Sequence, residues 1–211
     1  MNILWLILGL VALLFVIYVI RIRVIIIPAR NNCNKANDYL RQGEFDKALE
    51  LYFKALPIFE KMLGEDSDKT AALYSNIGTV YYAQEEYDKA LDYYQRALLP
   101  FEQKYGVESA QTATLYTNLG LTCKALYDYD GALWFYHKAK TACEQSLGVG
   151  ALDTATVYSY LGVIYDIKGE WDPALWYSNK ALAIREKFLG KRHPDTEEVR
   201  SLIAKIKSEK K

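Results

Sequence analysis

Leu73-Tyr74-Ser75-Asn76-Ile77-Gly78 returns forty-two residues later as Leu115-Tyr116-Thr117-Asn118-Leu119-Gly120, and after a second equal step as Val157-Tyr158-Ser159-Tyr160-Leu161-Gly162. A second block keeps this register. Phe45-Asp46-Lys47-Ala48-Leu49 recurs as Tyr87-Asp88-Lys89-Ala90-Leu91, then as Tyr129-Asp130-Gly131-Ala132-Leu133 and Trp171-Asp172-Pro173-Ala174-Leu175. Further columns are Ala55, Ala97, Ala139 and Ala181; Gly64, Gly106, Gly148 and Gly190; and Thr70, Thr112, Thr154 and Thr196. So many agreeing columns identify an internal repeat, and a repeat decides the architecture before any single element is assigned.

Within each unit the apolar residues fall at three- and four-residue spacing, which argues for helices. Leu73, Ile77, Val80 and Tyr81 make one stripe of the second unit, and Leu91, Tyr94, Leu98 and Phe101 make the next. Gln84-Glu85-Glu86 is a short polar turn between them, and Gly43 or Gly169 supplies a left-handed helix stop in the outer units. The Asp column from Asp46 to Asp172 falls in the first turn of each second helix, where a carboxylate complements the helix dipole. The Gly64 column suits the end of that helix, where φ must become positive. Gly78, Gly120 and Gly162 permit close helix approach, as do Ala90 and its equivalents. The 18 tyrosines then read as groove-filling core.

The N-terminus is different. Ile3 to Ile20 contains no charge, and eighteen helical residues rise roughly 27 Å, near the thickness of a bilayer core. No Lys or Arg precedes this run and no small-x-small site follows it, so a cleaved signal is disfavoured. The run has no polar face, as a soluble helix would. An uncleaved anchor is the expectation. Arg21 and Arg23 reach the headgroups by snorkelling while Val24–Ile27 stay in the interface. With Arg21, Arg23, Arg30 and Lys35 all after the span, the positive-inside rule places the repeats in the cytoplasm.

Composition narrows the function classes. Lys plus Arg and Asp plus Glu are 26 each, so no basic surplus points to nucleic acid. Cys33, Cys123 and Cys143 form no CxxC pair and read as packed free thiols. His137 and His193 are the two histidines, the first mid-helix and the second before Pro194 at a helix start. No HExxH, GxSxG or phosphate-cradling glycine loop is present. These residues predict neither an enzyme, nor a cofactor, nor a metal site, nor a small-molecule substrate.

The columns resemble the tetratricopeptide repeat: Tyr74, Ile77-Gly78, Tyr81, Ala90, Tyr94 and Ala97 in the second unit, and Tyr158, Leu161-Gly162, Tyr165, Ala174, Ser178 and Ala181 in the fourth. The forty-two-residue unit and the joint Leu189-Gly190-Lys191-Arg192-His193-Pro194-Asp195-Thr196 are similar to the kinesin light chain subfamily. The other joints keep Gly and Thr without His-Pro-Asp, so the resemblance extends to the repeat type and not to kinesin association. The implied fold is all-α: a right-handed superhelical α-solenoid of four helical hairpins plus a C-terminal capping helix, preceded by one transmembrane helix. The expected units are an anchor over 1–27, repeats over 28–64, 65–106, 107–148 and 149–190, and a cap with a basic tail over 191–211. Pro28 aligns with Thr70, so the first repeat helix is expected to start there. Asp195 to Ser208 is expected to cover the fourth hairpin with Val199, Leu202, Ile203 and Ile206, leaving Glu197, Arg200, Lys205 and Lys207 in water.

The resemblance further implies that the concave side, lined by the first helix of each unit, binds an extended peptide or a helix of a protein partner. The residue two before the Gly faces this groove: Asn34, Asn76, Asn118 and Tyr160. An Asn both donates and accepts, so it can pair with a peptide main chain of any sequence. Asn37, Arg41, Tyr82 and Lys124 are expected on the same surface. The alternatives are solvation or bonding within the hairpin. Chaperone-tail clamps carry Lys and Arg at set groove positions. Here Asn34, Ala72, Asn76, Thr114 and Asn118 stand there, which argues against such a clamp.

Overall fold

The computed structural model describes residues 3–210. Residues 1, 2 and 211, at the outer ends of the anchor and the basic tail, lie outside the described residues, as do the side chains of Leu4, Trp5 and Arg21, including the snorkelling expected of Arg21. The fold is an α-solenoid. Helix α1 (Ile3–Ile20) is the apolar rod. It is followed by the pairs α2 (Ile27–Arg41) and α3 (Phe45–Leu63), α4 (Asp68–Ala83) and α5 (Tyr87–Tyr105), α6 (Ala110–Ala125) and α7 (Tyr129–Ser146), and α8 (Leu152–Ile167) and α9 (Trp171–Phe188), with α10 (Pro194–Glu209) last. From α2 onward, each helix packs on its neighbours in sequence.

The start of α2 differs from expectation. Pro28 does sit in its first turn, but nothing ends the helix before it. Arg21–Ile26 is a π-helical turn that joins α1 to α2, and Ile20 and Ile27 on either side are both right-handed helical. Pro28 lacks an N–H, and its ring crowds the carbonyl of residue 24 in a regular α-helix. The wider turn relieves this, and the Ile27 N–H donates to the Ile22 carbonyl instead.

Two kinds of contact set the hairpins. Inside each, a ring lies flat on a helix that has no Cβ to offer. A Cβ on Gly78 would stand 2.9 Å from Tyr94, and one on Gly120 would stand 2.5 Å from Tyr136. In the fourth unit the partner of Gly162 is Ser178. Between hairpins, a tyrosine hydroxyl donates to a glutamate fourteen residues earlier: Tyr74 to Glu60 (2.7 Å), Tyr116 to Glu102 (2.5 Å) and Tyr158 to Glu144 (2.6 Å). In the cap, Arg200 takes the tyrosine's place and reaches Glu186 at 2.8 Å. Arg200 is thus a tie as well as a partly exposed residue. Lys205 is tied as well, to the buried carboxylate of Asp166 at 2.7 Å.

The joints are built alike. Gly64, Gly106, Gly148 and Gly190 have φ of +92°, +86°, +92° and +87°. The Thr70, Thr112 and Thr154 hydroxyls donate to the first three glycine carbonyls at 2.7–2.8 Å. Ser67 and Ser109 cap α4 and α6 by accepting from the Thr70 and Thr112 N–H groups. The Asp column lies in first turns as expected, and it also grips the next hairpin: Asp46 accepts from Gln84, Asp130 from Lys168, and Asp172 from Lys210. At the turns, Glu85 and Tyr127 hold the left-handed conformation of Gly43 and Gly169, with φ of 63° and 61°.

The tyrosine hydroxyls of the second helices are not equally served. Tyr52 donates to Asn37, and Tyr94 to Thr79 at 3.1 Å. Leu121 stands at the equivalent place for Tyr136, whose enclosed hydroxyl has no partner among the described residues. Three outcomes follow for thermal unfolding of the chain in detergent. Gly120→Ala lowers stability by about 2–3 kcal/mol, because the Tyr136 ring must move in a packed core. Tyr127→Gly raises it by about 1 kcal/mol, since a non-glycine residue in the left-handed region is strained. Tyr136→Phe stays within about 0.5 kcal/mol of the parent, whereas Tyr94→Phe costs about 1 kcal/mol, the worth of a made hydrogen bond.

Candidate partner-binding groove

Two clefts open along the first helices, at matching positions two repeats apart. The larger, about 720 Å³, is lined by Asn34, Asn37 and Asn76, by Phe59, Leu63 and other apolar side chains of the first two hairpins, and by Tyr18, Ile22 and Ile26 from the rod and the π turn. Arg30 and Lys69 supply its cations. The smaller, about 250 Å³, is lined by Asn118 with Thr114, Thr117 and Thr156, and by Cys143, Leu147, Asp153 and Val157. Lys69 of the first cleft corresponds by the repeat to Asp153 of the second, so the two ends of the groove carry opposite charge.

The asparagine column divides on inspection. Asn37 accepts from both the Tyr52 hydroxyl and, at 3.3 Å, the Asn76 amide. Its oxygen is occupied and the pair Asn37–Asn76 is internal. Among the described residues none bonds the half-buried side-chain amide of Asn118. Asn34 is exposed at the rim of the large cleft. The other four expected residues line neither cleft. Arg41 is exposed and paired with Asp38 at 3.0 Å. Lys124 is half-buried near the end of α6. Tyr82 meets the Tyr87 ring edge-on at 5.4 Å, and Tyr160 stacks on Tyr136 at 5.3 Å. Burial, and then the neighbouring Tyr160 and Tyr82 hydroxyls, push the Tyr136 hydroxyl far above the ordinary tyrosine range.

Sequence reasoning named Thr114 at a groove position but did not single out Thr117, Asp153 and Thr156 around Asn118. The forty-two-residue comparison contains the signal, since Thr114 and Thr156 share the column of Ala72. It also missed that the Asn column has unequal partners, which depends on Asn37 being replaced by Thr79, Leu121 and Val163 in later units.

The chemistry available is hydrogen bonding and charge pairing. His137 is half-buried among the rings of Tyr165 and Tyr177, with Nε2 at 3.0 Å from the Tyr165 hydroxyl. Burial and Lys140 hold its pKa below the usual histidine range, which keeps it neutral at pH 7. The thiols are unpaired, and burial pushes Cys33, Cys123 and Cys143 up to about 11. Among the described residues no three metal-ligating side chains converge.

Comparison with known proteins agrees with this architecture. No curated protein sequence matches the chain. Among solved structures, BtubC (BKLC) from P. vanneervenii is 28% identical with a TM-score of 0.72, over 81% of this chain and 68% of that one. A Podospora anserina putative kinesin light chain with nearly identical TPR-like repeats is 17% identical with a TM-score of 0.72, over 85% and 86% of the two chains. The apo form of RapI is 20% identical with a TM-score of 0.76, over 86% of this chain and 64% of its own length. The family model described as tetratricopeptide repeat matches residues 28–98 and 111–187. The chain belongs to the tetratricopeptide-repeat family.

Proposed function

We propose that this chain is a membrane-anchored adaptor that holds a protein partner, an extended segment or a helix, in the concave groove of its repeats. Tetratricopeptide repeats mediate protein–protein interactions, and the solenoid offers a continuous inner face for it. Helix α1, continuous with α2, is long and apolar enough to cross a membrane. The basic residues after it favour repeats on the cytoplasmic side. Anchoring confines the partner to the membrane surface and raises its effective concentration there.

One observation carries the groove reading: the unbonded Asn118 amide in a cleft of hydroxyls and a carboxylate. A half-buried amide with both functions open can donate to and accept from a peptide main chain. Asn118 therefore reads the partner's main chain, with Lys124 and Tyr160 beside it on the same inner face. Asn37 and Asn76, bonded to each other, contribute shape more than hydrogen bonds.

A structural role through the convex face is the second reading, and Trp134 and Trp176 favour it. They stand one repeat apart on α7 and α9, about half exposed, with Lys138 and Lys180 over their rings at 4.4 and 3.9 Å. Photo-crosslinking from intact membranes separates the two. A crosslinker replacing Asn118 captures a discrete protein, and Lys124→Glu reduces that adduct at least tenfold, while a crosslinker at Trp176 gives none. Adducts at Trp176 alone would move the interaction to the convex face. Protease added from the cytoplasmic side digests the repeats, and protection would reverse the topology.

A further inference from the structure

We infer that the edge of the solenoid formed by the joints between repeats rests on the headgroup layer of the bilayer that α1 spans. This rests on the reading of α1 as a membrane anchor. Direction comes first. The backbone is helical without a break from α1 through the π turn into α2, so the N-terminal end of α2 faces the membrane. Helices that alternate along the chain and pack on their sequence neighbours run antiparallel. The N-terminal ends of α4, α6, α8 and α10, and the C-terminal ends of α3, α5, α7 and α9, therefore share that side. The joints at 61–69, 103–111, 145–153 and 187–195 form the near edge. The turns at 42–46, 84–88, 126–130 and 168–172 form the far one.

The two edges differ in the way a bilayer demands. Tyr105, Val107, Leu147, Val149, Leu152 and Phe188 are exposed at the joints, Val149 to 64% and Phe188 to 56%. The far edge exposes only Tyr127 and Ile167 as large apolar side chains among the described residues. Charge separates in the same sense. The four turns carry nine carboxylates and one cation, and the four joints carry six of each. An anionic leaflet repels the first edge and accepts the second, an effect confined to groups within a Debye length of the surface. At two joints the apolar side chains lie beside cations, Tyr105 and Val107 by Lys104 and Phe188 by Lys187, Lys191 and Arg192, the composition that sits at the headgroup–acyl boundary.

Height agrees as well. Pro28 is the repeat equivalent of Thr70, so the joints stand level with the residues just after Ile27. Val24 and Ile27, at the foot of the first hairpin, are themselves exposed. The large cleft opens at this level, and neither Arg30 nor Lys69 makes an ion pair among the described residues. Both are free for lipid phosphates.

Depth-dependent quenching tests the inference on the full chain. The chain is reconstituted in phosphatidylglycerol–phosphatidylcholine vesicles that carry a nitroxide on the headgroup. Fluorophores are placed on Val107→Cys, Val149→Cys and, on the far edge, Glu85→Cys. The native thiols, raised to about 11, label slowly. The expected result is quenching several-fold stronger at residues 107 and 149 than at residue 85. Equal quenching at the three places, or stronger quenching at residue 85, overturns it. So does shielding of residues 107 and 149 from aqueous iodide without lipid quenching, which would give this edge to a protein. An alkaline carbonate wash of the same vesicles separates the two failures. Release of the chain defeats the anchor itself, whereas retention without quenching defeats only the placement of the edge.

Discussion

The step from one repeat to the next is fixed by a carboxylate. Glu60, Glu102, Glu144 and Glu186 each stand near the end of a second helix and accept a hydrogen bond from the first helix of the following unit. Hydrogen bonds to an ionised acceptor are worth about 1.5–3 kcal/mol and are directional, unlike the apolar contacts around them. Arg96 and Lys138 add a second grip, at 3.1 Å on Glu60 and 3.4 Å on Glu102, each lying over the tyrosine ring that shares the carboxylate. The Thr-to-Gly bond at the joint fixes the crossing of the chain, and the carboxylate fixes the rotation of the next hairpin. Everything functional depends on this regularity: two clefts at matching positions, one aligned edge of joints, and one inner face.

The same regularity made much of the fold legible. Helices, turns, the Gly and Thr columns and the capping role of α10 follow from a forty-two-residue repeat and period-3.6 patterning. What stayed hidden involves partners remote in sequence. Tyr74 reads as core by its spacing, but that its hydroxyl needs Glu60 is visible only once the joint has folded. Glu85 and Tyr127 stand in the column of Gly43 and Gly169, yet neither residue type advertises a left-handed turn. The break expected before Pro28 was absent because a π turn absorbs the proline, a rearrangement that local propensity does not encode. Arg200 read as solvent-facing because its role is to replace a tyrosine in a column of the preceding repeats.

The groove was legible in outline and not in its energetics. The Asn column was found by register, and register says nothing about whether an amide is already satisfied. Asn76 has Asn37 across from it, while Asn118 has Thr79 in that column, whose hydroxyl already donates to the Ser75 carbonyl and accepts from Tyr94, and the Asn118 amide is left unbonded among the described residues. Leu121, one repeat further on, leaves the Tyr136 hydroxyl without a partner among the described residues. Thr79 thus serves the Tyr94 hydroxyl but not the Asn118 amide, and Leu121 serves neither kind of group.

This division has a spatial logic when joined to the continuous helix. The cleft nearest α1 has Asn37 paired with Asn76, an apolar wall from the π turn, and cations without ion pairs among the described residues. The cleft two repeats away has a free amide, three threonine hydroxyls and Asp153, features that suit a peptide main chain and a basic side chain. An unbroken helical connection leaves the first hairpin little freedom to tilt relative to α1. The proximal cleft is therefore walled on one side by α1 and the π turn, while the distal one has no such wall. Lys69 of the first cleft and Asp153 of the second occupy one repeat position, so a segment lying along both clefts would meet opposite charge at equivalent places.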